Sequence, residues 1–136
     1  MNYVLDSSFC GAFIMPDEQS QRANNFFETI HEDSKIYVPS LFWLEISNLL
    51  TSAVRRKRIK LPDLYQLTEL LPHSKFNTGF SFGMGYANNV AIIAGDYDLS
   101  SYDAAYLELA SRKQASIGTL DDNLRKACTK AGLKVI

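Results

Sequence analysis

The chain has 136 residues, 46% of them hydrophobic, and carries 14 Lys plus Arg against 15 Asp plus Glu, a formal net charge of -1. That length and apolar content suit one compact domain over residues 1–136 that buries a core without staples, and leave little room for a second. The charge excludes the general basic excess of a nucleic-acid binder, so a polyanionic substrate would have to be attracted by local charge.

Cys10 and Cys128 are far apart and form no C-x-x-C pair, which fits two reduced core thiols in a cytosolic protein. The opening MNYVLDSSF has no basic region ahead of an apolar run, and no stretch approaches the roughly 18 apolar residues of a membrane span. The expectation is a soluble, cytoplasmic protein with no membrane association.

Tyr3-Val4-Leu5 is a short apolar run that breaks off at Asp6-Ser7-Ser8, which predicts a buried strand handing over to a capped helix. Asp6 then stands at the strand's carboxyl end. Helices are expected at Ser8–Ile14 and, past the Pro16-Asp17 turn, over about Gln19–Glu32. Ile36-Tyr37-Val38 reads as the second strand, closed by Pro39.

The helix expected over Ser40–Arg58 has a single charged residue, Glu45, between Leu41 and Val54. Leu41 and Leu49 share its face, and Asn48 is three residues on. A buried carboxylate among Leu, Phe, Trp and Ile must find a cation, a hydrogen-bond network or a proton. This helix closes on Arg55-Arg56-Lys57-Arg58, which is either a solvated basic helix end or a patch that steers phosphate.

Leu61–Leu71 has helical spacing from Pro62 and stops at Pro72, and Lys75-Phe76-Asn77 reads as a short strand. The Gly79–Tyr86 stretch, GFSFGMGY, lacks both the P-loop ending and the dinucleotide-binding spacing. Its aromatics are read as core or subunit contacts, with base stacking as the alternative. Asn88–Ala94 is expected to be helical.

Leu99–Ala110, LSSYDAAYLELA, predicts a helix capped by Ser100 or Ser101, with Ala104, Tyr106, Leu107 and Ala110 on its core face. Ser100-x-x-Asp103 resembles a capping box and places Asp103 in the first turn, where the dipole favours an anion. Ala115–Thr119 is the next strand, Leu120–Asn123 caps a helix over Leu124–Ala131, Gly132 ends it, and Lys134-Val135-Ile136 is a last strand.

Short apolar strands alternating with helices predict an α/β fold, a parallel sheet with helices on both faces. In such a sheet each following helix starts at the carboxyl edge. Asp6 and Asp121 come off strand ends, Asp103 opens a helix, and Glu45 leans back toward the start of one, so all four meet at the edge where open α/β sheets bind ligands. Clustered carboxylates raise one another's pKa unless a cation intervenes, and an all-oxygen set suits Mg²⁺ or Mn²⁺ rather than zinc. His31 and His73 lie near no acidic motif. The chemistry that follows is metal-assisted phosphodiester hydrolysis.

At these residues the chain resembles the PIN domains, in particular the VapC-type toxins of toxin–antitoxin pairs. The motifs are VLDSS at Val4–Ser8, VPSLFWLEISNLL at Val38–Leu50, LSSYDAAYLELA at Leu99–Ala110 and GTLDDNL at Gly118–Leu124. The resemblance implies a Mg²⁺- or Mn²⁺-dependent endoribonuclease acting on RNA, dimeric in many members, whose metal-binding catalytic residues are Asp6, Glu45, Asp103 and Asp121. It also implies a small antitoxin whose tail enters the acidic groove, and a hydroxyl at Thr119 that orients substrate or metal-bound water. Asp122 competes with Asp121 as the fourth ligand, and Ser7 and Asn48 are candidates for supporting roles. Gly79–Tyr86 departs from the family pattern. The alternatives are a PIN nuclease of RNA maturation or decay without an antitoxin, a phosphoacceptor domain, and a non-catalytic binding module. Asp6 is followed by two serines rather than a second acid, which argues against the phosphoacceptor.

Overall fold

The computed structural model describes all 136 residues. In chain order the elements are β1 (Asn2–Leu5), α1 (Ser7–Ile14), α2 (Gln21–Thr29), β2 (Lys35–Pro39), α3 (Leu41–Arg55), α4 (Leu64–Thr68), β3 (Phe76–Gly79), α5 (Met84–Tyr97), α6 (Ser101–Lys113), β4 (Ser116–Gly118) and α7 (Asp122–Lys130). The four strands form one parallel sheet in the order β3-β2-β1-β4.

Residues alternate in direction along a strand, which sorts the helices onto two faces. Val4 and Tyr37 are partners across β1 and β2 and share a face, where Lys113 of α6 lies 4.7 Å over the Tyr37 ring. Tyr3, Ile36 and Phe76 share the opposite face. There Tyr3 meets Phe26 of α2 at 4.9 Å between ring centroids, and Phe76 meets Phe42 of α3 at 5.8 Å. The expected three-layer arrangement is therefore the one that forms. Val4, Phe9, Ile36, Phe42, Ile117 and Leu124 are fully buried in the cluster between the layers.

Four helices start on a side-chain cap: Asp6 accepts from the Phe9 N–H, Ser20 from Ala23, Ser100 from Asp103 and Asp121 from Leu124. Gly11 lets α1 approach α3 closely, since a Cβ there would run into the Leu49 side chain. No helix is long and apolar enough to cross a membrane. Cys10 and Cys128 are buried free thiols, as expected, and burial pushes Cys128 up to about 12.

Several elements differ from the sequence expectation. α2 stops at Thr29, because His31–Ser34 forms a turn (Ser34 N–H to His31 O, 3.1 Å) whose His31 and Glu32 carbonyls accept from Lys75 Nζ. The helix expected over Leu61–Leu71 breaks into a 3₁₀ turn at Leu61–Asp63 and the five-residue α4. The Gly79–Tyr86 stretch is only partly a loop: Gly79 ends β3, and α5 begins at Met84 behind Gly83, whose φ of 91° suits glycine. The last strand shrinks to a single bridge, Ile117 to Val135. α6 is buried over Ala104–Ala110 on every side, beyond the single stripe expected, and Glu108 is tolerated there by pairing with Arg112 at 2.8 Å.

Candidate active site

The carboxyl edge is organised around Asp6, 6% exposed at the end of β1. Its Oδ1 accepts from the Phe9 N–H at 2.9 Å and from Ser8 Oγ at 2.7 Å, and its Oδ2 accepts a short hydrogen bond from the Thr119 hydroxyl. The same hydroxyls reach the connection between β4 and α7: Ser8 Oγ accepts from the Leu120 N–H at 3.1 Å and Thr119 Oγ1 from the Asp121 N–H at 3.0 Å. Two backbone N–H groups thus feed through two hydroxyls onto one carboxylate, and this fixes the connection that carries Asp121. Burial raises the Asp6 pKa, the hydrogen bonds from Thr119, Ser8 and Phe9 oppose it, and the Asp103 charge adds to the rise.

Glu45 is half-buried on the second turn of α3. Its Oε1 accepts from the Tyr106 hydroxyl at 2.5 Å, and Ser7 Oγ stands 3.5 Å from Oε2. Tyr106, 1% exposed on α6, is held far above its ordinary pKa by burial and the Glu45 charge, so it keeps its proton as the donor. Burial raises Glu45, against the Tyr106 hydrogen bond, and the charges of Asp6 and Asp103 raise it further. Asp103 is raised by burial and then by Asp121. Asp121 is exposed, with Oδ1 capping α7 through the Leu124 N–H at 2.8 Å.

Asp6, Glu45, Asp103 and Asp121 therefore form a connected set of mutually repelling carboxylates, and none is paired with a cation. As the side chains stand, no three Asp, Glu, His or Cys groups are gathered closely enough to hold one ion. The reason is physical: both Asp6 oxygens and one Asp121 oxygen are occupied by internal donors, and like charges spread when nothing cationic lies between them. The donor set nevertheless fits a hard divalent cation, being all oxygen, acidic and short of positive charge.

The PIN-domain family model matches residues 3–130, a span that holds all four carboxylates. The chain belongs to the PIN-domain family. No curated protein matches the sequence significantly. Among solved structures, this PIN domain is similar to PAE2754 from Pyrobaculum aerophilum, with 18% identity, a TM-score of 0.68, and 93% of this chain and 84% of that one covered. It is similar to VapBC2 from Rickettsia felis bound to a promoter DNA fragment, with 14% identity, a TM-score of 0.66 and coverage of 100% and 98%. FitAcB from Neisseria gonorrhoeae gives 14% identity, a TM-score of 0.60 and coverage of 98% and 96%.

The remaining candidates of this PIN domain fall in different places. Ser7 reaches Glu45, whereas Asn48 is exposed on α3 with no hydrogen bond to the acids. Asp122 is exposed at the first turn of α7, and the acid that raises Asp103 is Asp121. The Thr119 hydroxyl donates to Asp6 and accepts from the Asp121 N–H, so it positions those two residues. Arg55, Arg56 and Lys57 are exposed at the far end of α3, ten residues and about 15 Å of helix from Glu45. Arg58 turns back onto Asp17 and Glu18, with contacts of 2.7 and 2.8 Å. The His31 and His73 side chains are exposed and lie 3.9 Å from Asp33 and Glu69. The sequence reading missed two members of the site, Ser8 and Tyr106. Ser8 was detectable as a hydroxyl two residues past a capping Asp, and Tyr106 as the only hydroxyl on the buried face of α6.

Proposed function

We propose that this PIN domain is a Mg²⁺- or Mn²⁺-dependent endoribonuclease and the toxin of a toxin–antitoxin pair. The observation that carries the reading is the set of four coupled carboxylates without a cationic partner at the carboxyl edge of the sheet. Asp6, Glu45, Asp103 and Asp121 would hold the ion. Such an ion would supply Lewis-acid polarisation of an RNA phosphodiester and a lowered pKa for attacking water. The chain's own part is to keep those oxygens ionised and aimed. Tyr106 donates to Glu45, and Thr119 and Ser8 donate to Asp6, each favouring the charged form against the burial that opposes it. Asp103 and Asp121 remain open enough to exchange solvent for phosphate oxygens and water.

Two surfaces support the partners. Between α3 and the Leu61–Leu64 turn runs an apolar groove of about 390 Å³ lined by Trp43, Ile46, Leu50, Val54, Leu61 and Leu64. It suits the apolar face of a small antitoxin, a partner in keeping with the toxin–antitoxin structures this fold resembles. Phe80, Phe82, Met84 and Ile92 are 61% to 89% exposed along the start and outer side of α5, an apolar face suited to a second copy of the chain.

The test is cleavage of a mixed RNA pool, followed by end mapping. Purified protein should cut in Mg²⁺ or Mn²⁺, stop on addition of EDTA and recover when metal is restored. Undiminished turnover in EDTA would overturn the reading.

A further inference from the structure

After Asp122 the chain carries four cations, Arg125, Lys126, Lys130 and Lys134, and no acid. None of them is in an ion pair, whereas Arg58 is closed by Asp17 and Glu18, and Arg112 by Glu108. The Arg125 guanidinium points inward, 3.4 Å from the carbonyls of Thr119 and Ile136, and ties the chain end to the site. That leaves Lys126, Lys130 and Lys134 free, and of these Lys126 and Lys130 stand one turn apart on the exposed side of α7.

Both lysines line two adjoining depressions. One, of about 250 Å³, lies between α7 and the end of α5, with Asn123 beside the lysines and Tyr97 and Asp98 opposite. The other, of about 500 Å³, continues along α7 past Asp122 and Thr129. Lys130 Nζ stands 5.8 Å over the Tyr97 ring, an attraction that holds the amine at the groove. Lys126 is five residues beyond Asp121, about 7.5 Å along the helix, so the groove opens directly off the acidic edge. Arg55, the nearest of the basic run on α3, stands ten residues and about 15 Å beyond Glu45, twice the separation of Lys126 from Asp121.

We propose that the α7 groove carries the sugar–phosphate backbone of a single-stranded RNA substrate into the acidic edge, with Lys126 and Lys130 as its phosphate contacts. The inference rests on the nuclease reading for the identity of the strand. Lysine amines act as point charges on phosphate, so they position the strand without reading its bases. Four acids at the reaction centre repel the strand, and a cationic track beside them gives it a reason to enter.

The experiment measures binding of a fluorescein-labelled single-stranded RNA by anisotropy, in EDTA, between about 50 and 200 mM salt. Each single-strand phosphate contact contributes about 0.7 to the slope of log affinity against log salt, so K126A/K130A should lower the slope by about 1.4. Affinity at low salt should fall with it. R55A/R56A/K57A should leave the slope unchanged, and both variants should melt with wild type because every changed side chain is exposed. A wild-type slope in K126A/K130A, a loss confined to R55A/R56A/K57A, or no RNA binding by the wild type would overturn the inference. Cleavage by the wild type in Mg²⁺ is scored separately. Its absence overturns the nuclease reading, whereas cleavage with an unchanged slope in K126A/K130A overturns only the groove.

Discussion

Two groups of carboxylates on this chain meet opposite fates. Asp17 and Glu18, in the turn after α1, are closed by the Arg58 guanidinium, and that contact holds Asp17 below its ordinary pKa. Asp6, Glu45 and Asp103 have no cation, are partly or wholly buried, and are all raised. An acid that serves folding is neutralised by the fold itself. An acid left uncompensated at a ligand-binding edge, with internal hydroxyls spent on keeping it in place, marks a candidate functional site.

The largest effect that tests this contrast is on cleavage. Asp6→Asn should lower the metal-dependent rate by more than about a hundredfold, beyond the 10–100-fold of removing an outer partner. Asn can still cap α1 through Phe9, so the protein should melt in EDTA no lower than wild type. Asp17→Asn should leave cleavage unchanged. Equal rates for wild type and Asp6→Asn, or a loss of activity in Asp17→Asn, would erase the distinction between the two groups.

Tyr106→Phe comes next, because it touches the acids only through Glu45. Losing the 2.5 Å donor should raise the Mg²⁺ concentration needed for half-maximal cleavage by about tenfold, with little change in rate at saturating metal. Stability should fall by about 1 kcal/mol for one buried hydrogen bond. An unchanged metal requirement would make Tyr106 a core residue with an incidental contact.

Much of this was legible in the sequence because it depends on residues close together. Asp6, Ser100, Gly132 and the short apolar strands announce their elements by caps and punctuation, and parallel topology then sends Asp6, Glu45, Asp103 and Asp121 to one edge. What escaped depends on contacts between distant segments. The Tyr106 hydroxyl meets Glu45 across 61 residues and Thr119 meets Asp6 across 113, distances over which no spacing rule operates. Arg55–Arg58 looked like one basic patch, yet Arg58 is drawn off by Asp17 from 41 residues away. α5 begins before Asn88 because Gly83 supplies a backbone turn that composition alone reads as loop.

The smallest expected effect is on stability against pH, and its two halves carry opposite signs. Groups raised in the folded state bind protons more readily folded than unfolded. Their stabilisation is complete below the ordinary values of 3.8 for Asp and 4.5 for Glu and fades as pH rises through the raised values. Metal-free protein should therefore gain melting temperature as pH falls from 7 toward the ordinary carboxylate range, and Asp6→Asn should reduce that gain. Asp17 is lowered, so its contribution is present above 3.8 and is lost as pH falls through its folded value. Asp17→Asn should weaken only this acid-side loss, and added salt should shrink the Asp17 contribution because the Arg58 contact is exposed. Thermal melts in EDTA across this range read both halves at once. A steady fall in melting temperature from pH 7 downward, the same in wild type and Asp6→Asn, would show that the acidic edge is already compensated by the fold and has no need of an external cation.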